Sequence, residues 1–207
     1  MWIPRASSVG RLMASPEKST LPGGAISYME EELSKACLDW EKDLDFKTLQ
    51  KGIQVEDLSI ELYNDVFFTM YSKNTERKQN EFLTGECDID DEQNSLIIDI
   101  KSAFSKPSFP MILRLNGKKG YEWQLRAYMH LWERNNAQLA YCLVDTPFEL
   151  IGNDPEEWHI VGHINPALRV STVSLKRESV KEKQMLDRIR IAQDWMSEEL
   201  SKRGLAA

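Results

Sequence analysis

Leu96-Ile97-Ile98-Asp99-Ile100-Lys101 is an apolar run broken by one acid and closed by one base; Gly85-Glu86-Cys87-Asp88 precedes it across the polar stretch Asp90-Asp91-Glu92-Gln93-Asn94. Apolar runs on either side of a turn-forming stretch predict two strands, Phe82 to Ile89 and Ser95 to Ser102, joined as a hairpin. Side chains alternate across a strand, so Asp99 and Lys101 share a face. In a buried strand an isolated carboxylate and ammonium are costly to desolvate unless they are paired or bound to metal. With Asp88 on the adjacent strand, two carboxylates converge on an oxygen-rich site of the kind Mg2+ or Mn2+ prefers. A nearby ammonium can orient a water and steady the charge on a phosphate. Phosphodiester hydrolysis is the chemistry implied. A D-x-K triplet alone is ordinarily a plain ion pair, so the weight falls on its surroundings.

Upstream, Lys51-Gly52-Ile53-Gln54-Val55-Glu56 lies on a helix expected over 47 to 65, with Leu49, Ile53, Leu58, Ile60 and Leu62 as its buried positions. Glu56 is the candidate to complete or support a metal shell, with Glu61 its local competitor. Downstream, Tyr121-Glu122-Trp123-Gln124-Leu125-Arg126-Ala127-Tyr128 opens a helix expected over 121 to 135, which puts Gln124 and Tyr128 one turn apart. Trp123, Met129 and Trp132 read as core. Further out, Met29, Leu33, Cys37 and Trp40 make one stripe of a helix over 26 to 42, with Glu30-Glu31-Glu32 suiting its first turn. Met185, Leu186, Ile189, Ala192, Met196 and Leu200 do the same for a helix over 177 to 203. Strands are expected at 66 to 72, 137 to 144, 158 to 164 and 169 to 175, an irregular passage at 104 to 119, and a short helix or loop within 1 to 24.

The chain has 207 residues, 42% hydrophobic and 29% charged, enough for one domain with a central sheet and helices. That divides into an N-terminal helical part (about 1–65), a sheet-containing catalytic core (about 66–175) and a C-terminal helix (about 177–203). Three cysteines without C-x-x-C spacing point away from zinc and iron–sulfur sites and toward reduced thiols. No apolar run approaches the roughly 20 residues of a membrane span, and the start lacks a signal's apolar stretch. The expectation is a soluble cytoplasmic protein. A net charge of −7 argues against bulk electrostatic coating of nucleic acid, so any DNA contact is local. Carboxylates that hold a divalent cation are compatible with that acidity.

In order and spacing these motifs resemble the PD-(D/E)XK nucleases, and among them the phage lambda exonuclease and YqaJ-like viral recombination nucleases, over roughly residues 5 to 200. The pieces are Arg5-Ala6-Ser7-Ser8-Val9, the Gly-x-x-x-Glu of Gly52 to Glu56, then Asp88, Asp99-Ile100-Lys101 and Gln124. The resemblance implies an α/β fold with a restriction-endonuclease-like mixed sheet flanked by helices. It implies metal ligation by Asp88, Asp99, Glu56 and the Ile100 carbonyl, a water-positioning role for Lys101 beside Gln124, and DNA 5′-phosphate binding by Ser7, with Arg5 in place of an upstream family arginine. By the same likeness the chain is expected to be a Mg2+-dependent exonuclease digesting duplex ends 5′→3′ in phage-type recombination. The expected assembly is a trimeric ring that presents Lys118, Lys119, Arg114 and Arg126 to DNA and works with a single-strand annealing protein. A RecB-type repair nuclease and a catalytically silent interaction module are the alternatives. Two departures stand out: Asp88 sits in Glu86-Cys87-Asp88-Ile89 rather than a Pro-Asp context, and the strand acid is Asp99 rather than the commoner Glu.

Overall fold

The structure is a computed structural model and describes residues 1–41, 46–115 and 120–205. Its centre is a mixed four-stranded sheet in the order β3-β4-β5-β6, formed by Ile89–Asp91, Leu96–Ser102, Asn136–Cys142 and Val170–Lys176. The hairpin β3-β4 is antiparallel, with Ile89 opposite Ile98; β4 and β5 run parallel, and β6 returns antiparallel to β5. Two parallel strands need a crossover, and helix α4 (Tyr121–Trp132) supplies it. The fold is therefore α/β with a mixed sheet and helices on both faces, as the sequence led us to expect.

Alternation along β4 and β5 divides the core. Ile98, Ile100, Ala140 and Cys142 pack toward one side with Ile60, Leu62 and Tyr63 of helix α3 (Glu56–Phe67). Ile97, Leu139 and Tyr141 pack toward the other, with α4, helix α1 (Gly23–Leu38) and the long helix α6 (Ser179–Lys202). Met129 and Trp132 are buried there, as read from the sequence. A short 3-10 turn, Ala6–Arg11, sits on the start of α4 so closely that a Cβ on Gly10 would lie 2.6 Å from the Gly120 Cα. Glycine is required at Gly10 because two backbones meet there.

Several expected elements differ. The segment 66 to 72 is not a strand: α3 runs through Phe67, and Asn64 then caps the turn, its Oδ1 accepting from Thr69 Oγ1 and Tyr71 N. Local side-chain hydrogen bonds outweigh β-propensity there. The strand expected at 82 to 89 shrinks to the ribbon β1-β2 (Lys78–Gln79 with Thr84–Gly85) and the start of β3. The stretch 158 to 164 holds no strand but a 3-10 turn at Glu156–Trp158, because Val161 N and Gly162 N donate to the Asp145 carboxylate instead of a ladder. The helix expected over 47 to 65 breaks at Val55 into α2 (Lys47–Gln54) and α3, and the turn it makes leaves Leu49, Ile53 and Leu58 exposed. Helix α1 begins at Gly23, so Glu30 to Glu32 lie mid-helix rather than in the first turn, where Glu31 pairs with Arg11 and Lys35 and Glu32 with Lys35, while Trp40 falls beyond the helix end.

Candidate active site

The ladder between β3 and β4 ends at the pair Ile89 and Ile98, so farther along β4 the edge facing β3 has no backbone partner. Asp88, one residue before β3, fills that gap, its Oδ2 accepting from Ile100 N at 2.6 Å. The N–H and C=O of a strand residue point the same way, which turns the Ile100 carbonyl toward the same open edge. Asp99, 1% exposed, accepts at Oδ1 from Gln124 Nε2 at 3.0 Å. Its Oδ2 forms an ion pair with Lys101 Nζ at 2.7 Å. Gln124 Nε2 also reaches the Tyr128 hydroxyl at 3.3 Å, one turn along α4.

Asp88, Ile100 and Lys101 line a cleft of about 490 Å³ whose walls also include Glu56, Phe104, Tyr121 and Tyr141, while Asp99 and Gln124 lie buried behind Lys101 and are not among the lining residues. Leu49 and Ile53, expected in the core, form part of its outer wall. The Lys101 ammonium lies 5.8 Å from the centre of the Tyr121 ring, whose hydroxyl meets that of Tyr141 at 2.9 Å. Burial pushes the Asp88 carboxyl up to about 7, the neighbouring Asp99 charge adds to this, and Lys101 and the Ile100 N–H oppose it. Burial works against the Lys101 charge, but the Asp99 and Asp88 carboxylates outweigh it and hold the ammonium above the ordinary lysine range.

Asp88, Asp99, Ile100, Lys101 and Gln124 therefore come together around one stretch of β4. Glu56 lines the same cleft from the start of α3, where the helix dipole favours an acid, and its Oε2 accepts from Lys73 Nζ at 2.6 Å. Ser7 lies exposed within the 3-10 turn and caps nothing; Arg5 is exposed, 3.9 Å from Glu41, and neither is among the cleft's lining residues. Of the cations considered as a DNA-facing set, Arg126 is buried and bound by Glu122 and Glu178, which removes it. Arg114 is exposed, and Lys118 and Lys119 lie outside the described residues.

Three participants escaped the sequence reading. Tyr121 had a signal, since it lies one turn before Gln124 on the same helix face. Tyr141 had none: it faces Lys101 through the register of two parallel strands. Lys51, 0% exposed, carried none either, because a lysine at that position reads as solvated surface. Its ammonium donates to the carbonyls of Ala103 (2.7 Å) and Val144 (2.8 Å) and to Thr146 Oγ1 (2.9 Å), pinning α2 to the loop that follows Lys101.

The donor set suits a hard divalent cation. Asp99 Oδ2 is a buried carboxylate oxygen whose neighbour is the Lys101 ammonium, Asp88 is an acid raised by burial and then by the Asp99 charge, and the carbonyl beside them adds a neutral oxygen. Among the described residues no group of three or more His, Cys, Asp or Glu side chains forms a metal cluster. Two carboxylates and a carbonyl still match Mg2+, which keeps several waters and binds through one or two carboxylates plus substrate phosphates.

This arrangement of a mixed sheet and flanking helices is the fold of known exonucleases. A phage-related exonuclease from Haemophilus somnus 129PT superposes with a TM-score of 0.90 at 29% identity, the match covering 98% of this chain and 96% of that one. An alkaline exonuclease from Laribacter hongkongensis shares the fold at 12% identity, with a TM-score of 0.66 and 98% and 91% of the two chains covered. The same enzyme in complex with dAMP gives 0.59 at 13% identity, covering 98% and 93%. No family model matches the sequence, nor does any curated protein. No helix among the described residues is long and apolar enough to cross a membrane.

Proposed function

We propose that the chain is a PD-(D/E)XK deoxyribonuclease, dependent on Mg2+ with Mn2+ able to substitute, that digests duplex DNA from its ends. The observation that carries this is the convergence of Asp88, Asp99, Lys101 and Gln124 on one open strand edge, in a fold shared at 29% identity with a phage-related exonuclease. Asp88, Asp99 and the Ile100 carbonyl would hold the cation, with Glu56 supporting it or its water. When bound, the cation supplies positive charge against the scissile phosphate and makes water a better nucleophile at neutral pH.

The chain's own groups do the rest. Lys101 orients the attacking water and opposes the charge that grows on the phosphate, as a preformed donor in a partly desolvated site. Gln124 holds the Asp99 carboxylate in one orientation through its 3.0 Å hydrogen bond, and the Tyr128 hydroxyl holds Gln124. Cleavage leaves 5′-phosphates. The 5′→3′ direction, Ser7 and Arg5 as contacts for the terminal phosphate, and a role in phage-type recombination with a single-strand annealing protein complete the proposal, in the cytoplasm of a bacterial or phage-infected cell.

Lys101→Ala on labelled duplex with Mg2+ is expected to lower turnover by about two orders of magnitude or more while leaving the fold intact. A rate like that of the wild type rejects the site. Comparing 5′-labelled with 3′-labelled duplex fixes the direction, and cutting of a closed circle replaces the exonuclease reading with an internal one.

A further inference from the structure

Lys73 lies outside every motif read from the sequence, yet its place at the cleft is built. Its ammonium donates to Glu56 Oε2 at 2.6 Å, and the charges of Asp57 and Asp88 also act on it. The backbone on either side is anchored. Asn74 N donates to Asp88 O at 2.7 Å and Asn74 Nδ2 to Cys87 O at 2.9 Å, which ties the residue after Lys73 to the segment that bears Asp88. On the other side, Tyr71 exchanges main-chain hydrogen bonds with the Asn64 side chain, and its hydroxyl donates to Asp91 at 2.6 Å. Lys73 is held between the start of α3 and the start of β3, against Glu56 of the cleft wall.

Two acids of the candidate site thus each have a lysine: Asp99 has Lys101 and Glu56 has Lys73. They differ in exposure. Asp99 is 1% exposed, whereas the Lys73 and Glu56 side chains are 40% and 22% exposed. An ion pair that open to water is worth little, so its partners separate readily when a stronger ligand arrives. A free ammonium at the mouth of an acidic protein's cleft is a natural point contact for a phosphate.

We infer that Lys73 competes with the divalent cation for Glu56 and, once released, binds the DNA backbone at the mouth of the cleft. One side chain then makes substrate binding depend on metal loading. Without the cation Lys73 is spent on Glu56; with it Lys73 is available to a phosphate. This rests on the nuclease reading of the site above.

Two binding measurements on the full chain test it without cleavage: calorimetric titration with MnCl2, and anisotropy of a fluorescent blunt duplex in Ca2+ against EDTA. Lys73→Met is expected to bind Mn2+ about two- to five-fold more tightly, since it removes a competing pair of that strength. The same variant should show a Ca2+ gain in duplex affinity about two- to five-fold smaller than that of the wild type, and its salt slope in Ca2+ should fall by about one. Lys73→Arg, which keeps the charge, is expected to retain the Ca2+ gain. Thermal melting of both variants serves as the check on folding. Unchanged Mn2+ affinity in Lys73→Met, or an unchanged Ca2+ gain, overturns the inference while the nuclease reading stands. A wild type that binds no Mn2+ overturns both.

Discussion

At the scale of the residue, Asp88 carries a pH signature. Its carboxyl is raised from the ordinary value near 3.8 to about 7, first by burial and then by Asp99. A raised acid favours the folded state while protonated. Its contribution is complete below the unfolded pKa and is lost as pH rises through about 7, because the unfolded chain ionises first. In EDTA, Asp88→Asn is therefore expected to be more stable than the wild type at pH 8, with the difference shrinking toward pH 4, as read by urea unfolding at each pH. Asparagine can still accept from Ile100 N, so the comparison isolates the charge. A difference that does not vary with pH would refute the assignment. Mn2+ affinity should run the other way, falling as pH drops below about 7, since the ligand must be ionised.

At the scale of the element, α2 is held against the sheet by one buried lysine. Burial pushes the Lys51 ammonium down to about 8, and the nearby Asp145 charge and the hydrogen bonds to Ala103, Phe104, Val144 and Thr146 offset that cost. Lys51→Met keeps the volume and removes the donors, leaving buried carbonyls unsatisfied. A loss of about 3 kcal/mol is expected, measured by chemical denaturation. A change under about 0.5 kcal/mol, the size usual for surface positions, would mean that α2 is fixed by something else. Because α2 carries Leu49 and Ile53, the same substitution should loosen the apolar wall of the cleft. Here the elements were partly legible: the hairpin, α4 and α6 follow directly from alternation and from the apolar stripe. The break at Val55 did not, because a helix-period pattern continues across it in Ile53, Ile60 and Leu62.

At the scale of the whole molecule, a chain of net charge −7 needs some way to hold a polyanion. A trimeric ring is the assembly that the resemblance implies, and it gathers cations from several copies around one duplex. Light scattering is expected to return three times the chain mass, and a strictly monomeric mass removes the ring. The loss of Arg126 to Glu122 and Glu178 narrows the cations available for such a channel and gives Lys73 more of the work. Duplex binding should accordingly be weak in EDTA at physiological salt and strengthen when a divalent cation is present.

The order Gly-x-x-x-Glu, Asp88, Asp99-Ile100-Lys101, Gln124 led, through its resemblance to a nuclease family, to the mixed-sheet fold that the structure shows, while strand alternation and helical spacing, as local rules, put Asp99 with Lys101 and Gln124 with Tyr128. Which side chains meet across elements was decided in three dimensions. Asp88 reaches the Ile100 amide because β3 stops short, Tyr141 faces Lys101 through a parallel register, and Lys73 lies on Glu56 because Asn74 is tied to the Asp88 backbone. Each of those contacts joins residues whose spacing along the chain has no periodic meaning, so only the packing of the sheet against its helices could bring them together.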